Sequence, residues 1–252
     1  MTIFDDLLAE QDRLEQILLG LDETQWASPS GADGWSVTDV VLHLAQSEET
    51  VHASATRATV AVGLGAAPGG TVEDRAAAAV RAERGAPGPT VLGRWQRARR
   101  QALAALRDAD PDEPVAWVAG PLKPATLATT RLTEHWAHAL DITGPLGIGL
   151  PDTGRLRHVA WLAQRTLPYA MQLGGEQPAP VRCEVTAPED AGAEEAEPVV
   201  WRFGPDGAES VITGPAGDFC RVAVRRLAPD RTALRAQGPS GATAMRLLRT
   251  FA

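Results

Sequence analysis

Lysine is nearly missing from this 252-residue chain: Lys123 is the single lysine among 24 basic residues, so the other 23 are arginine. Together with 24 glycines, 19 prolines and abundant alanine, that bias points to a GC-rich genome, with an actinobacterial source as the natural expectation. Cysteine is scarce as well. Cys183 and Cys220 lie far apart and in no CxxC spacing, which excludes a disulfide scaffold and reads as two small buried apolar residues. No apolar run reaches the roughly 18 residues of a spanning helix. Met-Thr-Ile-Phe-Asp-Asp lacks the basic and then apolar layout of a signal peptide, so a cytoplasmic protein without a membrane partner is expected. The net charge of −8 comes without a dense basic cluster. The richest run, Arg94 to Arg100, has the spacing of a solvated helix face, so nucleic acid is not an expected partner. There is no GxxxxGK[ST] or GxGxxG phosphate loop, and no GxSxG elbow.

What is present is a long helical half. From Thr2 to Leu21 the apolar residues Ile3, Leu7, Leu8, Leu14, Ile17, Leu18 and Leu21 recur at three- and four-residue steps. Asp22 to Asp33 reads as a connector. Ser36, with Asp39 three residues on, is a helix start, and that helix is expected to run to about Val62 with Val37, Val40, Val41, His43 and Leu44 along it. Gly63 to Gly70 is a Gly/Pro-rich break. A short alanine-rich helix over Val72 to Arg84 and a helix capped by Thr90 and running to about Leu106 follow. After the loop from Asp108 to Pro124, a helix is expected from about Ala125 to Ile142, and another from Thr153 to Leu173 with Pro168 interrupting it.

The pattern changes after Gly175. Val181 to Val185 and Val199 to Phe203 alternate as strands do, around the acidic loop from Pro188 to Pro198. Ala208 to Ile212 and Thr232 to Ala236 read as further strands, Ala216 to Arg225 and Ser240 to Phe251 as helices. The fold class expected is α+β: an N-terminal helical bundle over residues 1–175 and a small α/β domain over 176–252.

The chemistry concentrates in Arg131-Leu-Thr-Glu134-His135-Trp-Ala-His138-Ala-Leu-Asp141. Glu134 and His138 stand four apart, so on a helix both leave the same face one turn apart. That is how one rigid element presents two metal ligands, the logic of the paired histidines in H-E-x-x-H. His135 with His138, at a three-residue step, is the alternative pair, with Glu134 then a base. His43, on the apolar face of its own helix, is the candidate third ligand, since bundle cores host metal sites built from facing helices. Two imidazoles and a carboxylate leave coordination positions open, which is the catalytic pattern, with Zn²⁺ the default and non-haem iron sharing the same ligand types. Asp141, three residues past His138, can accept from an imidazole N–H and orient it. Arg131 can hold a substrate carboxylate or pair with a surface acid. Arg131, His135 and Asp141 are thus the candidate catalytic residues beside the metal ligands.

Two segments together resemble the DinB-like metal-binding superfamily, and within it the mycothiol-dependent maleylpyruvate isomerase group. They are Gly34-Trp35-Ser-Val-Thr-Asp-Val-Val-Leu-His43-Leu and Thr130-Arg-Leu-Thr-Glu134-His-Trp-Ala-His138-Ala-Leu-Asp141; Trp26 also fits. The resemblance extends over the whole chain. It implies a DinB-like four-helix bundle followed by a domain similar to sterol carrier proteins, with His43, Glu134 and His138 as metal ligands. The extra histidine at 135 resembles a branch whose substrates are poorly defined. The resemblance further implies a Zn²⁺-dependent enzyme that activates mycothiol or a similar thiol as cosubstrate, for isomerisation or S-transfer on an electrophilic small molecule. The alternative expectation keeps the metal as a Lewis acid in a thiol-independent hydrolase, lyase or cyclase that tailors a biosynthetic product.

Overall fold

Four helix starts in the first half are capped by the chain's own side chains. Thr2, Ser36 and Thr71 accept the backbone N–H of an aspartate three residues on, and Asp22 that of Gln25; in each case the later side chain returns a bond to the cap's own N–H. They begin α1 (Ile3–Leu19), α2 (Glu23–Ala27), α3 (Val37–Ala55) and α4 (Val72–Glu83). α5 (Gly88–Asp108) and α6 (Pro124–Leu146) start instead with proline in the first turn, where its missing N–H costs nothing. Gly147, at φ 66°, ends α6 in the left-handed conformation. The computed structural model describes residues 2–57, 71–118, 120–191 and 198–250.

The chain divides into two compact units, Met1–Gly149 and Leu150–Ala252. In the first, α1 packs along α6 and α3 along α5, while α3 and α5 also touch α6. The four long helices form the bundle. Its core holds Leu14, Leu44, Trp95, Leu132 and Trp136, all essentially without exposed surface. Gly88 lies so close to Trp26 that a Cβ there would overlap the indole ring, which fixes how α2 meets the start of α5.

In the second unit, α7 (Leu156–Leu173) packs with α8 (Ala216–Ala223) and α9 (Gly241–Leu247) and touches a four-stranded sheet. The strands are β1 (Val181–Thr186), β2 (Val200–Phe203), β3 (Ser210–Pro215) and β4 (Arg235–Gln237), in the order β2-β1-β3-β4. β1 runs antiparallel to β2 and parallel to β3, and β3 antiparallel to β4. Val181, Cys183 and Val185 alternate inward along β1, as a half-buried strand requires.

The architecture is α+β, as the sequence pattern predicts, with several differences in detail. The Asp22–Asp33 connector contains the short helix α2, because Asp22 and Gln25 cap it. α5 begins at Gly88 with Pro89 in its first turn rather than at Thr90. α7 belongs to the sheet unit, not the bundle, so the division falls at Gly149 rather than after residue 175. The last two strands lie a few residues later than the apolar pattern suggests. α3 ends at Ala55. The Gly63–Gly70 break, residues 192–197 of the acidic loop and Phe251 lie outside the described residues.

Candidate metal centre

α3 and α6 face one another inside the bundle, and their facing stripes carry the candidate ligands. His43 comes from the middle of α3; Glu134 and His138 come from successive turns of α6. The Oε2 of Glu134 lies 3.7 Å from His43 Nε2 and 3.4 Å from His138 Nε2. One donor atom from each of the three lies within 4.8 Å of the other two. Two ligands each about 2.1 Å from a shared ion at the tetrahedral angle stand about 3.4 Å apart, so this spacing and donor set fit a divalent cation. The three side chains retain 15%, 19% and 10% exposure for His43, Glu134 and His138, so the group is not sealed from solvent.

The electrostatics suit ligation. Burial pushes the Glu134 carboxyl up, but His138 and His43 beside it, with Arg131 near, pull it well below the ordinary carboxylate range. Burial lowers His43, only partly offset by Glu134. Burial also acts to lower His138, yet Asp141 and Glu134 outweigh it and raise the imidazole above its ordinary value. Asp141 does this through contact: His138 Nδ1–H donates to its Oδ2 at 2.9 Å. That bond fixes the tautomer that leaves Nε2 for the cluster.

Trp35 flanks the group. Its ring centroid is 5.2 Å from that of His43 and 6.4 Å from that of His138, tilted only 23° from the latter. The two imidazoles meet edge to face at 5.0 Å.

Of the residues singled out by the sequence, His43, Glu134, His138 and Asp141 converge and two others do not join them. His135 is fully buried and its nitrogens are engaged elsewhere. Nδ1–H donates to the Arg131 carbonyl at 2.7 Å, and Nε2 accepts from Trp95 Nε1–H at 3.2 Å. Gln11 Nε2 stands 3.5 Å from the same nitrogen. Burial holds this imidazole well below its ordinary pKa, hence neutral. Arg131 makes no surface pair. It is 2% exposed, donates through Nε to Glu48 Oε1 at 2.9 Å, and lies 5.7 Å from the Trp117 ring centroid. Glu48 is 1% exposed, and burial raises its carboxyl despite Arg131. Glu48, Trp95 and Gln11 escape a sequence reading. The signal for Glu48 is a carboxylate on the apolar stripe of α3, between Leu44 and Val51.

The model of the family described as mycothiol maleylpyruvate isomerase N-terminal domain matches residues 7–143, a span that includes all three candidate ligands. Proteins from two strains of Mycobacterium tuberculosis, both described as uncharacterized, are 30% identical over 254 residues and cover 98% of this chain and 94% of their own. Crystal structures of the mycothiol-dependent maleylpyruvate isomerase and of a mutant of it share the fold. Their TM-scores are 0.58 and 0.61 at 15% and 14% identity, covering 94% of this chain and 95% of theirs.

Proposed function

We propose that this chain, which belongs to the mycothiol maleylpyruvate isomerase family, is a metal-dependent enzyme that joins mycothiol or a similar thiol to an electrophilic carbon, either stopping at S-transfer or releasing the thiol after isomerisation. The observation that carries this reading is the convergence of His43 Nε2, Glu134 Oε2 and His138 Nε2 in a group that keeps some exposure to solvent. A divalent cation held there, Zn²⁺ by the donor types, would lower the pKa of a coordinated thiol and so supply thiolate at neutral pH. Glu134 contributes the negative charge of the ligand set, since its carboxyl stays ionised. Asp141 keeps a proton on His138 Nδ1 and so keeps Nε2 directed to the cluster. Arg131 acts from behind: paired with Glu48, it holds a buried positive charge near Glu134 and is a positioning group rather than a substrate anchor. His135 serves the core, not the reaction.

Elemental analysis and thermal melting test this reading. One zinc per chain is expected, and millimolar mycothiol should raise the melting temperature of the zinc-loaded protein, because a ligand of the native state alone must stabilise it. Absence of metal from the purified and zinc-incubated protein would overturn the centre. Metal without a thiol-induced shift would overturn the thiol and turn the assignment to Lewis-acid chemistry on an oxygen substrate.

A further inference from the structure

Trp35 occupies a short loop built as a support. Between α2 and α3, Pro29 and Ser36 pair as an isolated bridge, and Val37 N–H donates to Ser28 O at 3.0 Å. Ser30 donates twice to the Trp35 carbonyl, from N–H at 2.9 Å and from Oγ at 2.8 Å, while Trp35 N–H returns to Ala32 O at 3.1 Å. Gly34, at φ 72°, supplies the left-handed residue that turns the chain into Trp35. The loop is also fastened to α6: Gly31 N–H donates to the backbone carbonyl of Asp141 at 2.7 Å. Asp141 therefore holds His138 with its carboxylate and the Trp35 loop with its backbone. The approach is close, because a Cβ on Gly31 would stand 3.1 Å from both Asp141 Cα and Oδ1.

The indole that this loop presents lies beside both histidine rings and is itself half-buried. It puts an apolar, polarisable ring next to both imidazole ligands. A hydrated oxygen ligand loses hydrogen bonds against such a face, whereas sulfur and its neighbouring methylene gain contact with it. We propose that Trp35 is a specificity-determining residue of this centre, favouring a thiol over water or a carboxylate as the incoming ligand, with the Gly31–Asp141 contact holding it in register. The inference rests on the reading of His43, Glu134 and His138 as a cation site.

Cobalt(II), whose absorption reports its ligands, provides the test. The wild type, Trp35→Phe, Trp35→Ala and Gly31→Ala are loaded with cobalt and titrated separately with N-acetylcysteine and with acetate. One cobalt per chain is expected in all four. Trp35→Ala should bind the thiol about tenfold more weakly with acetate affinity unchanged, the upper end of a sulfur–aromatic contact, and Trp35→Phe should restore most of the difference. Gly31→Ala should lose part of the same preference with Trp35 still in place. Equal loss of thiol and acetate affinity, no change in either, or loss of cobalt from Trp35→Ala would make Trp35 a structural support and overturn the inference. A wild type that takes up no cobalt would instead overturn the cation site itself, so the two failures are distinct.

Discussion

Two histidines three residues apart on one helix have opposite surroundings, and that contrast carries the assignment of roles. His138 is bonded to a carboxylate on one nitrogen and aims the other at Glu134; His135 gives both nitrogens to the core. Replacing Asp141 by asparagine keeps the shape and removes the charge. Asp141→Asn should therefore weaken zinc binding about 10–100-fold, as loss of such outer partners typically does, with little change in the melting temperature of the metal-free protein. Competition with a chromophoric chelator measures the first and calorimetry the second. His135→Ala should do the reverse. It opens a cavity and leaves Trp95 Nε1 without its acceptor, a loss of about 2–4 kcal/mol in urea unfolding, yet one metal per chain should remain. A metal-free His135→Ala that still folds would reinstate His135 as a ligand. Spacing favoured Glu134 and His138 as the pair and left His135 with His138 as the alternative. What decides between them is which way the face of α6 turns, and that is set by Trp95 on α5 and Gln11 on α1, residues at sequence distances no local pattern reaches.

Between elements, the pair Glu48–Arg131 ties α3 to α6 directly behind the cluster that those helices share. Removing one partner strands a buried charge. Glu48→Ala should thus cost about 3–5 kcal/mol, while the double variant Glu48→Ala/Arg131→Met should recover most of it, since an apolar replacement of the whole pair removes the stranded charge. Chemical denaturation of the three proteins checks this; a double variant no more stable than Glu48→Ala would show that the pair does more than satisfy itself. This contact also marks where reading elements from sequence stops. The starts of α1 and α3 are legible because Thr2 and Ser36 cap locally, and the apolar stripes of both helices follow from period alone. Glu48 and Arg131, 83 residues apart, are not, nor is the pairing of β1 with β3, which skips over β2. In the sheet unit the buried thiols set a pH dependence. Burial pushes Cys183 on β1 from 9.0 up to about 12, and Cys220 on α8 also upward. Above pH 9 the unfolded chain releases thiol protons that the folded chain keeps, so stability present below 9 is lost as pH rises toward 12. At pH 10 the Cys183 contribution alone is a loss of about 1.4 kcal/mol, and Cys183→Ala should flatten the fall by that amount when urea midpoints are compared from pH 8 to pH 10.

At the scale of the whole molecule, the candidate centre belongs to one unit only. His43, Glu134, His138 and the residues that orient them all lie within Met1–Gly149, and Leu150–Ala252 has its own sheet and its own apolar core. A ligand that binds only the native state stabilises the cooperative unit that contains its site, by about 4 kcal/mol at a free concentration a thousandfold above Kd. For a unit of this size that corresponds to about 8–16 °C in melting temperature. Differential scanning calorimetry of the full chain, with and without zinc, should therefore resolve a transition that moves upward by that margin and a second that stays where it was. Zinc should also raise the pair His43→Ala and His138→Ala hardly at all, because each lacks a ligand. If zinc moved both transitions together, the two units would melt as one, and the centre would be stabilising the sheet as well as the bundle. If it moved neither while remaining bound, the three side chains would hold metal without the bundle depending on it. A single shift of that kind would tie the cation to the helices that carry its candidate ligands, and would make the bundle the part of the molecule whose persistence at working temperature depends on metal supply.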